Sequence, residues 1–263
     1  MSRPAATREP LAERIRRYYT RYYRDTLGLP GWAGLVANRL TEEEQEAGRL
    51  AALQRLLGRS IAGMSLLNVG CGTGGFNVVA GRAGAVAWGV DTDSEAVAIT
   101  RFKLRGAGGG ACLAAAEALP FSSARFDVVY CYSAIEHVAS VEASVGEMVR
   151  VARPGGIVYV HTPNAWSWYE GHYKLLWFPG LPRPLGAVYL ALRRRPTAYL
   201  ATLRRLTKGR LRRAFRIAGV TDLEFHRGDQ ARETRGPFWP VLRLYYGLLG
   251  VAPFIELTAR KPA

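Results

Sequence analysis

The chain is poor in cysteine and histidine and lacks any long uninterrupted apolar run. Its 263 residues include three cysteines and four histidines. The cysteines, Cys71, Cys112 and Cys131, are odd in number and show no close ligand spacing. That argues against a disulfide framework and against a cysteine-based zinc site, and favours three small buried residues in a reducing compartment. No apolar stretch reaches the about 18 residues a spanning helix needs, and residues 1–17 hold no signal-like apolar segment. A cytoplasmic protein without a spanning helix is the expectation.

Acidic residues are scarce in one place. Residues 166–216 hold twelve Lys or Arg against Glu170 alone, and residues 1–27 hold seven arginines against Glu9, Glu13 and Asp25. These two regions carry the whole net charge of +15, so the middle of the chain is neutral and the basic character belongs to flanking or inserted pieces.

What is present begins with Leu66-Leu67-Asn68-Val69-Gly70-Cys71-Gly72-Thr73-Gly74-Gly75, an apolar run ending in clustered glycines and followed by Phe76-Asn77-Val78-Val79-Ala80. It reads as strand, tight turn and helix. Glycines open backbone angles closed to other residues and remove the β-carbons that keep a ligand off the main chain. Gly70, Gly72 and Gly75 also satisfy the dinucleotide pattern G-x-G-x-x-G, so the turn alone leaves its nucleotide-containing ligand open.

From Ser65 the pattern alternates regularly. Strands are expected over 66–69, 85–91, 111–116, 126–132 and 156–162, with helices over 76–82, 94–105 and 141–152. Such alternation makes an α/β fold, a Rossmann-like doubly wound and mostly parallel sheet whose ligand site lies at the carboxyl ends of the strands. Residues 1–64 form an N-terminal helical cap, in which Tyr18, Tyr19, Tyr22 and Tyr23 make an aromatic stripe at helical spacing and a second helix runs from Thr41, its capping residue, to Leu57. The stripe reads as core, or alternatively as a cover over a ligand. The sheet core occupies 65–164. Residues 165–202 are a basic, aromatic, proline-containing insertion read as a lid or acceptor segment. Residues 203–263 bring a helix over 203–218, a strand over 221–225, a second aromatic segment over 237–246 and a closing strand over 254–259. Asp91 ends the second strand, where a carboxylate can accept hydrogen bonds from both hydroxyls of a ribose, while Asp93 and Ser94 cap the next helix.

Further along come Ala116-Glu117-Ala118-Leu119-Pro120-Phe121, Phe126-Asp127-Val128-Val129-Tyr130, Ile135-Glu136-His137-Val138 and Arg153-Pro154-Gly155-Gly156. With the glycine turn and Asp91, this ordered set resembles the class I S-adenosylmethionine-dependent methyltransferases, over about residues 65–164. The resemblance implies a seven-stranded sheet with an antiparallel last strand, and S-adenosylmethionine as cofactor. It places Gly70, Cys71, Gly72 and Gly74 at the amino-acid part and sulfur, Asp91 at the ribose and the Ala116-Glu117 backbone at the adenine, with Asn68, Thr92 and Ser133 as further cofactor-binding residues. Asn68 stands where the family usually has a carboxylate, and Ala115 where an Asp often approaches the adenine amine.

A methyl on a sulfonium is already activated, so the protein must mainly align a nucleophile, with a base where that nucleophile is a hydroxyl. His137, after the fourth strand at the ligand end of the sheet, is the candidate catalytic residue, as base or substrate contact. Glu136-His137 also resembles part of the metal-binding motif of ubiquinone-biosynthesis O-methyltransferases, but Ser133 replaces a further acidic residue, and no metal is expected. The insertion resembles bacterial methyltransferases of glycan or lipid-linked pathways. The expected partner is a small-molecule or lipid-linked acceptor, the expected reaction an O-methylation, and the arginine-flanked apolar stretch 173–192 suits an anionic membrane surface. Nucleic acid stands behind, because no recognisable RNA-binding module accompanies the basic residues, although an RNA methyltransferase and a non-catalytic membrane-associated scaffold are alternatives.

Overall fold

The computed structural model describes residues 9–226 and 239–263. Three helices come first: α1 (Leu11–Thr20), continued by a π-helical turn over Arg21–Thr26, α2 (Trp32–Leu40) and α3 (Glu42–Leu57). The sheet core follows as β1 (Ser65–Val69), α4 (Gly75–Arg82), β2 (Val86–Asp91), α5 (Ser94–Lys103), β3 (Gly110–Leu113), β4 (Phe126–Tyr132), α6 (Val141–Val151) and β5 (Ala152–Pro163). The insertion contributes the two-residue strands β6 (Tyr169–Glu170) and β7 (Leu175–Leu176), then α7 (Arg183–Leu192) and α8 (Ala198–Thr202). The chain returns to the core with α9 (Lys208–Ile217), β8 (Leu223–His226), α10 (Trp239–Leu249) and β9 (Phe254–Arg260).

Seven strands form one sheet in the order β3-β2-β1-β4-β5-β9-β8, with β1 to β5 parallel and β9 antiparallel to both neighbours. The expected fold and closing strand are thus both present. The strand order reverses at the β1/β4 boundary, which opens a crevice at the carboxyl ends of these strands. β4 is buried from Phe126 to Cys131, as expected of a central parallel strand covered on both faces. On one face Val145, Met148, Leu211 and Phe215 from α6 and α9 fill the core; on the other Leu50, Leu53, Phe76 and Ala80 from α3 and α4 do so. Each layer removes several large apolar side chains from water, at roughly 1.5–3 kcal/mol apiece.

Several local expectations are corrected. Thr41 makes no side-chain cap to α3; its carbonyl accepts from the Glu44 amide instead. The third strand stops at Leu113, short of 116. The helix expected over 203–218 begins at Lys208, where the Thr207 hydroxyl accepts from the Arg210 amide and fixes its start. Pro182 and Pro184 of the proline-containing insertion stand at the start of α7, where a missing amide hydrogen costs nothing. Residues 237 and 238 of the second aromatic segment lie outside the described residues; most of the rest belongs to α10. No helix among the described residues is long and apolar enough to cross a membrane.

Candidate active site

The turn after β1 is held open from below: the amides of Gly70 and Cys71 both donate to the Val90 carbonyl, at 2.8 and 2.9 Å. Gly70, Gly72 and Gly74 all have positive φ, but for different reasons. A β-carbon on Gly70 would lie 2.3 Å from the Ala134 β-carbon, and one on Gly74 would lie 2.6 Å from the Thr100 methyl. One on Gly72 would meet nothing nearer than the Tyr19 hydroxyl, 3.9 Å away. Gly70 and Gly74 are therefore glycines for packing, and Gly72 presents bare main chain to open space. Asn68 is buried and donates to Asn77 Oδ1 at 2.8 Å, so two amides hold strand to helix where the family has a carboxylate. Burial pushes the Cys71 thiol up, out of the nucleophilic range.

Above the turn lies a cavity of about 720 Å³, within the usual size of a ligand site. Asn68, Gly70, Cys71, Gly72, Ser133 and His137 line it, so six of the eleven candidate residues meet there. Tyr18, Tyr19, Tyr22 and Tyr23 roof it while Tyr19 and Tyr23 are also buried in an apolar cluster with Ile15, Leu27 and Val36. Both readings of the stripe thus hold.

Asp91, Thr92, Gly74, Ala116 and Glu117 do not line this cavity. Asp91 accepts from the Gly72 and Asp93 amides, each at 2.9 Å; burial raises its carboxyl despite those bonds. Just beyond it, α1 and the π-helical turn that follows are tied to the start of α5 by Arg14 to Glu95 at 3.1 Å and Arg21 to Asp93 at 3.2 Å. Thr92 continues the same bend. The Glu117 carboxylate accepts from the Ala139 and Ser140 amides at 2.6 and 3.0 Å, fixing the loop behind His137.

One buried acid was missed by sequence reasoning. Glu42 accepts from Thr73 Oγ1 at 2.8 Å, from the Tyr19 hydroxyl at 3.3 Å and from Lys103 Nζ at 2.6 Å. It ties roof, turn and α5 together, and nothing in the acidic run 42–44 distinguishes it from its neighbours.

At the opposite wall, a 3-10 turn over Ile135–His137 follows β4. Burial lowers the His137 pKa, leaving its imidazole neutral, and its Nε2 lies 3.3 Å from the Tyr199 hydroxyl, which in turn meets the Tyr22 hydroxyl at 2.9 Å. His172, from the insertion, packs 5.1 Å from the His137 ring. Burial alone would lower its pKa, but Glu136 and Glu170 outweigh that and push it up to about 9. Tyr132, His161 and Phe254 stack in series along the same wall, at 4.0 and 4.9 Å between centroids. His161 is half-buried and desolvation drops its pKa to about 4, so it is a neutral member of the stack.

A doubly wound sheet of this order, with a glycine turn open at Gly72 and an acid ending β2, defines the class I methyltransferase architecture. Comparison with known proteins agrees: residues 67–160 match the family model described as a methyltransferase domain. The ubiquinone biosynthesis O-methyltransferase of Azoarcus sp. (strain BH72) is 36% identical over 107 residues, 40% of this chain and 46% of that protein. That of Rhizobium rhizogenes (strain K84) is 32% identical over 129 residues, 46% of this chain and 52% of that protein. The chain spans about half the length of the curated relatives it matches. Among solved structures, Haemonchus contortus phosphoethanolamine N-methyltransferase 2 in complex with S-adenosyl-L-methionine superposes with a TM-score of 0.58 at 18% identity, over 84% of this chain and 53% of that one. An S-adenosylmethionine-dependent methyltransferase from Mesorhizobium loti gives 0.56 at 18% identity, over 80% and 96%. The chain thus carries a methyltransferase domain at residues 67–160, on a sheet with the fold of the class I S-adenosylmethionine-dependent methyltransferases. S-adenosylmethionine is the cofactor of that class.

Proposed function

We propose that the protein transfers the methyl of S-adenosylmethionine to an oxygen of a glycan, lipid-linked or secondary-metabolite acceptor. The observation that carries this reading is the shared cavity: the bare backbone at Gly72 and the neutral imidazole of His137 face the same space from opposite walls. The cofactor fits the turn because a β-carbon is absent where its sulfonium end would approach. When bound, it supplies a methyl group already primed to leave sulfur. Gly70, Cys71 and Gly72 cradle its amino-acid end beside Asn68 and Ser133. Asp91 and Thr92 would take the ribose, and the Ala116-Glu117 backbone would edge the adenine. His137 contacts the acceptor hydroxyl. His137 or water would take the proton that the acceptor hydroxyl must give up. The tyrosine roof keeps the transfer dry.

The acceptor side faces the insertion, and two of its features fit an amphiphile at an anionic surface. Leu185, Val188 and Leu192 of α7 are 57–78% exposed, close to Phe178 and Trp166 in the chain, which are also exposed. Arg183, Arg193, Arg194, Arg195, Arg204 and Arg205 form no ion pair with any described acid. Apolar side chains beside unpaired cations favour a membrane interface.

Calorimetric titration with S-adenosylhomocysteine tests the cofactor reading; equal binding by wild type and Asp91→Ala would sink it. Sedimentation with anionic and neutral vesicles tests the surface, and indifference to lipid charge would remove it.

A further inference from the structure

Three donor groups, two of them adjacent in sequence and the third from the insertion, meet at one edge of the cavity: His137 and His172 line it, and Glu136 lies behind them, lining a smaller adjoining pocket with His172. One oxygen of Glu136 and one ring nitrogen each of His137 and His172 all lie within 4.8 Å of one another. Glu136 is 2% exposed. Its Oε2 accepts from the Thr162 hydroxyl at 2.9 Å, while its Oε1 has no hydrogen-bond partner and faces His172 Nε2 at 3.6 Å. A buried carboxylate oxygen left without a partner is costly, and here it points at the space between the two imidazoles. The surrounding groups are also ordered. His172 Nδ1 meets Glu170 Oε1 at 2.8 Å, and Glu170 Oε2 accepts from the Tyr173 amide at 2.7 Å. A histidine fixed at one nitrogen by a carboxylate presents its other nitrogen in a set direction, which is how metal-bound histidines are usually held.

We propose that Glu136, His137 and His172 form a binding site for a divalent transition-metal ion such as zinc, manganese, iron(II) or cobalt(II). Two imidazoles and one carboxylate suit these ions better than magnesium or calcium, which take sets of oxygen ligands. Ligand atoms about 2.1 Å from an ion stand about 3.0–3.4 Å apart, so the Glu136 to His172 pair needs to close by only a few tenths of an ångström. Three protein ligands leave a position open toward the cavity, as catalytic sites do. An acceptor hydroxyl entering that position would lose its proton to solvent more readily, and His137 would then act as a ligand, not as the base. The expectation of no metal rested on Ser133, a gap seen only along the chain. The fold fills it with an imidazole carried by the insertion.

The metal site rests on the methyl-transfer reading for its acceptor, but the ion can be sought without it. Chelator-stripped protein is titrated with cobalt(II) chloride, followed by visible absorption and calorimetry, with S-adenosylhomocysteine binding measured on the same samples. One ion per chain is expected with ligand-field bands, at an affinity reduced at least tenfold in His172→Gln and in Glu136→Gln and about 10- to 100-fold in Glu170→Gln. His226→Gln, away from the cluster, is expected to bind as wild type does. Folding of each variant is checked by circular dichroism, and the ligand-field spectrum of wild type stands as a test that needs no variant. Absence of cobalt binding by folded wild type at about 1 mM, or unchanged binding by folded His172→Gln, overturns the site and leaves His172 as a cation clamped by two acids. Loss of S-adenosylhomocysteine binding with cobalt binding intact would count against the methyl-transfer reading and support the ion site.

Discussion

Gly72 and Gly70 make a paired test of what the turn is for. Both have positive φ, so alanine at either place carries the left-handed strain of roughly 1–2 kcal/mol. At Gly72 little else opposes it, since the added β-carbon lies 3.9 Å from the Tyr19 hydroxyl. At Gly70 the same carbon would overlap the Ala134 β-carbon at 2.3 Å, next to the turn that carries His137. Overpacking of that kind adds about 1–3 kcal/mol, for a total near 2–5 kcal/mol, a large share of the 5–15 kcal/mol typical of a domain. Urea denaturation is therefore expected to show a small loss for Gly72→Ala and a large one for Gly70→Ala. Calorimetry with S-adenosylhomocysteine is expected to show the reverse emphasis. Gly72→Ala, still folded, should lose at least tenfold in affinity because its methyl occupies the cradle. Wild-type affinity in Gly72→Ala would refute the assignment of the turn as the cofactor floor, and equal stability of the two variants would refute the packing account.

The remaining predictions concern the supports of the site. Lys103→Met leaves the buried Glu42 charge with only the longer contact to Arg39 at 3.8 Å, at a cost of up to about 3–5 kcal/mol in chemical denaturation, whereas adding Glu42→Gln recovers most of the loss; no recovery in the double variant would mean the ion pair is incidental. Burial raises the Asp127 carboxyl, but the Ser65 amide at 2.8 Å, the Ser65 hydroxyl at 2.6 Å and Arg153 more than offset this and hold it below its ordinary value. Its contribution is thus present above the unfolded value of about 3.9 and is lost as pH falls through the lower folded value, so the stability gap between wild type and Asp127→Asn should be full at neutral pH and close only as pH falls below that unfolded value and through the folded one. A gap that stays constant across that window would remove the charge from the explanation. Tyr199→Phe deletes the hydroxyl between Tyr22 and His137 and is expected to lower methyl transfer with little change in S-adenosylhomocysteine affinity; a parallel loss of both would place Tyr199 in the cofactor pocket instead.

The sheet was legible because its signals are local. Alternating apolar runs, the glycine turn, Asp91 at a strand end and the closing strand each lie within a dozen residues, and all appear where expected. The Asp93 cap could be read the same way: its carboxylate accepts from the Glu95 and Ala96 amides at 2.9 and 3.0 Å. The rest depends on contacts that no window contains. Glu42 looks like one of three surface acids until α3 packs on α4 and brings it over Gly75. His172 looks like one member of an aromatic segment until the insertion folds back onto the turn after β4. The same is true of Gly70, Gly72 and Gly74, which are chemically alike in sequence and are separated only by what stands over each.

The two basic regions, alike in sequence as excesses of basic residues, are put to opposite uses. Arg14, Arg17 and Arg21 of the N-terminal segment pair with Glu95 and Asp93 at the start of α5, so their charge is spent in closing α1 over the cofactor end of the crevice. Neutralising them should loosen that cover and weaken cofactor binding in a salt-sensitive way, because exposed pairs of this kind are screened. Three arginines in and just after the insertion have backbone carbonyls as partners: Arg183 on Leu203, Arg195 on Gly28 and Arg204 on Val138. A guanidinium fixed by one carbonyl keeps donors to spare and a full charge to offer. Salt should therefore act on this protein twice, through the cover at the cofactor end and through whatever anionic acceptor or surface meets the insertion. The two effects are separable, since charge reversal at Glu95 touches the first and leaves the second unchanged.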